Sequence, residues 1–490
     1  MIHRRCFSAG IPFLLGVATA TLIGGWPAVR TAAADEAHRI QPYSENPRYW
    51  QYAGRPVLLL GGSDDDNLFQ WSGGALAEQL DLLVSAGGNV IRNTMSSRDE
   101  GNLQPFAREG ERYDLGRWNE AYWDRFENLL RQTHRREIIV QVELFDPWDL
   151  LGQIHGLRED LWELSPWYPD NNVNYTFDTT RLPRRAPRPV YRGGESVGEP
   201  HAFFHSVPAV NNDVELVGWQ RRFVDRVLEH TLRYDHVLYC ISNEIHTEYS
   251  PEWGWYWADH LRRRAEEAGT QIEVTEMHWA LEMRHPAHRA VLDRPDVYSY
   301  FEASQNSFQR GQVNRDSLRF VYEYLAERPR PIHHTKIYGA DTGPVWADSS
   351  RDAAETFWRN IFGGSASSRF HRPPAGLGLG EEARRHLRSV RMLTDAMDVF
   401  ACRPHDDLLS DRAENEAYCL AQPGRQYALY FPDGGGVTLD LSVAEGAQQA
   451  RWLDVAQSRW ADEATLEGGS SVALSTPGPG PWAVLVEPQP

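Results

Sequence analysis

Lysine is almost missing from this chain: of its 50 Lys and Arg residues, only Lys336 is a lysine. A composition that writes arginine nearly everywhere points to a position where a guanidinium will not serve. Lysine is a compact point charge whose pKa falls on burial. Cysteine is scarce too, four in 490 residues, which excludes a disulfide scaffold. Cys240 lies in an apolar run where a buried thiol is expected. Cys402 and Cys419 can pair in an oxidising compartment, a matter that spacing alone does not decide. Net positive charge is absent: the balance of −18 excludes a general binder of nucleic acid or anionic membrane, because long-range repulsion opposes approach. No G-x-G-x-x-G follows the first strand, which argues against a dinucleotide fold. No G-x-S-x-G is present, which disfavours a serine esterase. His333-His334 and His371 lack metal-ligand spacing, so neither a metal nor another cofactor is expected.

Only the N-terminus carries a long apolar run. Arg4 and Arg5 precede Ile11 to Gly25, and Ala32-Ala33-Ala34 offers an A-x-A-like cleavage site. Residues 1–34 therefore read as an export signal, with a partial twin-arginine match, and the run is short for a transmembrane anchor. The expected location is secreted or periplasmic, with no stable membrane anchor after cleavage. The oligomeric state is not legible.

From residue 35 to about 405, short β-rich runs alternate with amphipathic helical stretches. The strands read Val57–Leu60, Asn89–Asn93, Ile138–Glu143, Val237–Asn243, Ile272–Glu276, Val297–Glu302, Ile332–Tyr338 and Ser368–His371. Eight β–α units predict an α/β fold, a (β/α)8 TIM barrel, over an open doubly wound sheet. The long connection 147–215 is rich in aromatics (Trp148, Trp162, Trp167, Tyr168, Phe203, Phe204) and is expected to form an ordered lid at the active-site face. From residue 416 to 490 the period shifts to two, with Asp-Gly and Pro-Gly turns, which predicts a small all-β sandwich.

Barrel chemistry sits at the C-terminal ends of the strands. Those ends carry Asp64, Asp65 and Asp66; Arg92; Glu143 and Asp146; Asn243 and Glu244; Glu276; Glu302; Lys336 and Asp341; His371 and Arg372. A ring of charges there is informative as a set, although any one of them is more often a cap or an ion-pair partner. The sharpest local signal is Val237-Leu238-Tyr239-Cys240-Ile241-Ser242-Asn243-Glu244, an apolar strand that delivers an amide and an acid together. Cleavage of a glycosidic bond needs one protonated carboxyl and one ionised carboxylate.

The strand-four Asn-Glu pair resembles the acid/base motif of the retaining (β/α)8 glycoside hydrolases. Asn46-Pro47-Arg48-Tyr49 through Arg55-Pro56-Val57-Leu58-Leu59-Leu60-Gly61 is similar to the entry to strand one in their cellulase-like and apiosidase-like members. The C-terminal region resembles the collagen-binding-type β-sandwich of such enzymes. The resemblance implies Glu244 as general acid/base, Asn243 as its sugar-orienting neighbour and Arg92 as a support. It also implies a nucleophilic Glu at the end of strand seven, where this sequence has Lys336.

Three arrangements follow. Asp341 acts as second carboxylate with Lys336 keeping it ionised; Glu276 or Glu302 supplies it; or Lys336 binds an anionic sugar. Glu143, Asp65, His371 and Trp148 complete the expected substrate-binding set. The expected function is hydrolysis of a poly- or oligosaccharide. The alternatives are a non-catalytic carbohydrate-binding protein on a degenerate barrel and a uronate-directed lyase.

Overall fold

A computed structural model describes residues 38–150, 161–187, 190–192 and 195–489. The export-signal reading and residues 151–160 of the long connection lie outside them.

Eight parallel strands form the centre: β1 (Leu59–Gly62), β2 (Val90–Thr94), β3 (Ile139–Phe145), β4 (Val237–Ser242), β5 (Val274–Thr275), β6 (Phe301–Glu302), β7 (Ile332–Ile337) and β8 (Ser367–Phe370). Their order is β5-β4-β3-β2-β1-β8-β7-β6. The remaining gap, between β5 and β6, is bridged by Ser299 N donating to Val274 O (2.9–3.0 Å, with Ser299 Oγ accepting from Val274 N) and by Thr275 Oγ1 donating to Tyr300 O (2.7 Å). Each strand is buried along its whole length, as expected for a parallel sheet covered by helices.

Each strand is followed by a helix: α1 (Ala75–Ser85), α2 (Glu120–His134), α3 (Val214–Thr231), α4 (Pro251–Glu267), α5 (Pro286–Leu292), α6 (Gly311–Tyr324), α7 (Ser350–Phe362) and α8 (Glu381–Asp395). Local chemistry sets their starts. Asp213 caps α3 by accepting from Leu216 N, and Ser349 with Asp352 forms a reciprocal capping box on α7. Seven of the helices follow the apolar periodicity of the sequence. The seven-residue α5 does not, because it is too short to show a repeating stripe.

The chain ends in antiparallel sheets built from β9 (Tyr418–Gln422), β10 (Gln426–Phe431), β11 (Gly436–Asp440), β12 (Ala447–Asp454), β13 (Arg459–Glu467), β14 (Ser471–Ser475) and β15 (Trp482–Pro488). One sheet runs Arg403–Pro404, β9, β10, β15, β12, β13; the other runs Leu409–Ser410, β11, β14. The fold is a (β/α)8 barrel followed by a small β-sandwich. Edge strand β13 escapes the period-two reading because Arg459, Asp462, Glu463 and Glu467 interrupt it and only Trp460, Ala461 and Leu466 are half-buried, a composition that also blunts a sheet edge against further pairing. Tyr430 of β10 stacks on Trp358 of α7 (4.7 Å between centroids, 8° between planes), and Ser389 of α8 donates to Val455 O (3.0 Å). One sandwich face thus shares the barrel's core. Cys240, Cys402 and Cys419 are all buried free thiols.

The aromatics expected to form a lid mostly pack instead. Trp162, Trp167, Phe203 and Phe204 are buried, with Trp167 and Phe203 edge-to-face at 5.3 Å and Phe204 against Trp253 of α4. Trp253 and Trp257 are core residues. Tyr168 is half-buried, and Trp148, buried as well, stands in the candidate site.

Candidate active site

The strand ends open onto a cavity of about 820 Å³. Its wall draws on β1 (Asp66), β3 (Trp148), β4 (Asn243, Glu244), β7 (Lys336, Tyr338) and β8 (His371, Arg372), with Trp279, Phe308 and Trp346 supplied by loops.

Glu244 is the focus. It follows β4 with φ +60°, a left-handed conformation costing roughly 1–2 kcal/mol for a residue with a Cβ. That turn aims its carboxylate at the cavity, where every neighbour is a donor. Oε1 accepts from Lys336 Nζ (2.7 Å), Gln305 Nε2 (2.7 Å) and Tyr338 OH (3.1 Å), and Oε2 accepts from Trp148 Nε1 (2.8 Å). Burial would raise its pKa, but the Lys336 ammonium, followed by the Gln305 bond, holds it below the ordinary carboxylate range. Glu244 is ionised at rest.

Lys336 donates to Asn243 Oδ1 (2.5 Å) as well as to Glu244. Burial lowers its pKa, and the Glu244 charge opposes that shift. Its partner is therefore the strand-four acid, and Asp341 is not involved. Asn243 in turn donates to Asp146 Oδ1 (3.1 Å), so one chain of bonds runs Lys336–Asn243–Asp146.

Beneath lies a buried ion network. Arg92 grips Glu143 with Nε and NH2 (3.0 and 2.5 Å) and reaches Asp66 with NH1 (2.9 Å). Asp66 also accepts from Arg98 (3.2 Å) and Arg372 (2.9 Å), and His371 stands 3.6 Å away. Against the penalty of burial, Arg92, His371, Arg372 and Arg98 hold Asp66 well below the ordinary range. Arg98 also ion-pairs with Asp146. Arg92→Met would leave Asp66 and Glu143 short of their shared cation. We expect a loss of about 3–5 kcal/mol, the usual cost of breaking a buried pair, read as a lowered urea midpoint. A change below about 1 kcal/mol, the scale of an exposed pair, would contradict this assignment.

None of the three expected second carboxylates lines the cavity. Asp341 is exposed and turns back to accept from Ser350 N (3.0 Å) at the start of α7. Glu276 points outward beneath α4, where Oε2 accepts from Tyr298 OH (3.0 Å). A Cβ on Gly254 of α4 would lie 1.7 Å from that oxygen, so only glycine lets the helix pass. Glu302 is enclosed in the barrel by Ser304, Thr335 and Gln141. Asp65 holds Trp71 (2.7 Å) beside the wall. His333 is not at the mouth either, being bound between Trp50 and Gln141. Of the expected residues, the cavity brings together Glu244, Asn243, Lys336, His371 and Trp148 with the strand-end Asp66 and Arg372, and Arg92 and Glu143 support them from below.

Gln305, Tyr338, Arg98, Trp279, Phe308 and Trp346 join the site without a signal in the strand-end charge pattern. Gln305, Phe308 and Trp346 sit in single 3-10 turns, Trp279 in a two-residue strand, Tyr338 just past β7 and Arg98 in a loop, all too short to show a period. The available signal was an aromatic or polar residue within a few positions of each strand end.

Burial pushes the Glu276 carboxyl up to about 7. The folded form keeps its proton to higher pH than the unfolded chain, so this group costs nothing below the ordinary glutamate pKa. The cost grows as pH rises through 7. Glu276→Gln should therefore gain on the order of 3 kcal/mol over wild type at pH 8 and almost nothing at pH 4. Urea titrations at both values test this, and identical pH dependence in the two proteins would refute it.

No protein-family model matches the sequence, and no curated protein matches it. Solved structures do. A glycoside hydrolase family 5 protein from Bacteroides vulgatus superposes with a TM-score of 0.63 at 13% identity, covering 93% of this chain and 95% of its own. A second, described as a glycoside hydrolase, gives 0.61 at 12% identity, over 92% and 96%.

The chain shares the fold of these two proteins.

Coverage of this extent takes in the sandwich as well as the barrel, so the two-part architecture is common to all three. At such low identity the likeness concerns the backbone.

Proposed function

We propose that the protein is an exported glycoside hydrolase, with Glu244 and Lys336 as its proton-handling groups. The observation that carries this is the aim of Glu244: a strained backbone turns it into an aromatic-walled cavity at the mouth of the barrel. Trp148, Trp279, Phe308 and Trp346 offer apolar faces of the kind that pack against sugar rings. The structural neighbours described as glycoside hydrolases support the same reading. Arg98, Arg372 and Lys336 already have anionic partners, which favours a neutral glycan over an anionic one. The N-terminal Arg-Arg, apolar run and Ala32-Ala33-Ala34 support export.

In this reading water loses a proton to Glu244 as its oxygen bonds to the anomeric carbon. The bond from that carbon to the leaving oxygen breaks, and the leaving oxygen takes a proton from Lys336. Transfer from Glu244 to Lys336 across their 2.7 Å contact restores the resting pair. A contact so short cannot place acid and base on opposite faces of a sugar, as a carboxylate pair separated by roughly 6.5–9.5 Å does in inverting enzymes. The product should accordingly keep the configuration of the substrate. Release of reducing ends in a screen of neutral polysaccharides, followed by proton NMR of the first product, tests both statements. No cleavage across the screen would count against hydrolysis, and an inverted product against the one-sided mechanism.

The same ion pair favours one rival. If Lys336 serves only to neutralise Glu244, the cavity binds glycan without cleaving it. A β-elimination with Lys336 as base fits less well, because Lys336 is engaged as a donor to both Glu244 and Asn243.

A further inference from the structure

A second constellation lies at the opposite end of the barrel, where the strands begin. His134 is the last residue of α2, and Asp235-His236 immediately precede β4. Val140 N donates to His236 O (2.9 Å), which ties this turn to β3. One ligand atom from each of His134, Asp235 and His236 lies within 4.8 Å of the others. Among the described residues this is the one group of three or more such side chains that converges in this way.

The hydrogen bonding fixes which atoms are available. Thr133 Oγ1 contacts the carbonyls of Leu129 (2.9 Å) and Leu130 (3.1 Å), the usual fate of a helical threonine hydroxyl. With its proton used there, Thr133 Oγ1 accepts from His236 Nε2 at 2.9 Å. His236 Nε2 therefore carries the proton, and Nδ1 holds a lone pair. That Nδ1 is fully buried and has no hydrogen-bond partner. It faces Asp235 Oδ1 at 3.8 Å, while His134 Nδ1 stands 3.3 Å from the same oxygen. The His236 Nδ1 lone pair thus faces a carboxylate oxygen with no proton between them, a repulsion that a cation would relieve. A threonine that sets the tautomer of a ligating histidine is the outer-shell support that metal sites use.

The spacing suits a small ion. Ligand atoms about 2.0–2.1 Å from a tetrahedral zinc lie roughly 3.3 Å apart, which matches the His134–Asp235 separation and falls slightly below that of His236–Asp235. Arg39 lies nearby but directs its guanidinium at the carbonyls of Tyr234 and Leu232. Tyr52 OH donates to Asp235 Oδ1 (3.1 Å) and steadies the carboxylate. The His134 side chain is 46% exposed, which leaves a route for the ion and room for a water as fourth ligand. His278 is another buried imidazole without a hydrogen-bond partner, but among the described residues no second and third ligand converge on it.

We propose that His134, Asp235 and His236 bind a zinc ion that pins the end of α2 to the start of β4. The site is remote from the cavity and independent of the glycosidase reading.

The test uses the tag-free full chain stripped with chelator and titrated calorimetrically with zinc chloride. Wild type should bind one equivalent and melt at a higher temperature once loaded. His134→Ala removes an exposed ligand and should fold normally, yet bind zinc at least tenfold more weakly and lose the zinc-dependent rise in melting temperature. Asp235→Asn should behave the same way. Wild-type protein with no stoichiometric zinc binding would overturn the proposal, as would His134→Ala and Asp235→Asn proteins that bind zinc like wild type.

Discussion

Glu244→Gln is expected to abolish turnover, by on the order of 10²–10⁴-fold in kcat, while glycan affinity changes little. The amide keeps the shape of the carboxylate and one acceptor oxygen for Lys336, Gln305 and Tyr338. Its nitrogen, however, would face the Trp148 indole N–H, so that bond is lost. More important is the charge. Lys336 is buried, and without Glu244 its ammonium has no carboxylate partner and either gives up its proton or destabilises the fold. Removal of one member of a buried pair costs about 3–5 kcal/mol. Activity must therefore be measured on protein shown to be folded, by its melting temperature and by glycan binding. The double variant Glu244→Gln/Lys336→Met removes both charges and should recover stability without recovering turnover, the signature of a coupled pair. A folded Glu244→Gln protein that cleaves at the wild-type rate would sink the assignment.

Much of the barrel was legible because a strand buried on both faces reads as a short apolar run, and because amphipathic helices separate the runs. The strand ends were legible for the same reason, and with them Glu244, Asn243 and Lys336. The direction of a side chain was not. Glu276 follows a strand of only two residues, and a run that short cannot say which way the next residue turns. It points under α4 into the space left by Gly254. Asp341 lies five residues beyond Lys336, where the chain has already bent toward α7, and there it does the work of a cap. The partner of Lys336 was hidden for a different reason. Glu244 and Lys336 stand on strands far apart in the sequence and meet only once the barrel curves round. The His134–Asp235–His236 group is hidden likewise, by a separation of about a hundred residues that strand spacing cannot bridge.

Lys336→Met tests whether the lone lysine acts or merely balances charge. Burial already pushes the Glu244 pKa upward, and the ammonium is the main influence holding it down. Without that cation the carboxyl should titrate at higher pH. The acid limb of the kcat/KM profile would shift toward neutrality, and any residual activity would need more alkaline conditions to keep Glu244 ionised. If Lys336 also protonates the leaving oxygen, kcat falls by on the order of 10²–10⁴-fold even at the new optimum. Substrates with an acidic leaving group, which need no proton, should lose far less. Should Lys336 only neutralise Glu244, the limb moves but both substrate classes fall together. Lys336→Glu separates the remaining rival. It sets two carboxyls side by side, and like charges that close keep one of them protonated, which supplies the acid and carboxylate that a retaining glycosidase uses. On the mechanism proposed here that variant still loses the natural proton donor and is slower than wild type. A wild-type protein that binds glycan without cleaving it, paired with a Lys336→Glu protein that does cleave, would instead establish the barrel as a binding site that this one lysine has silenced.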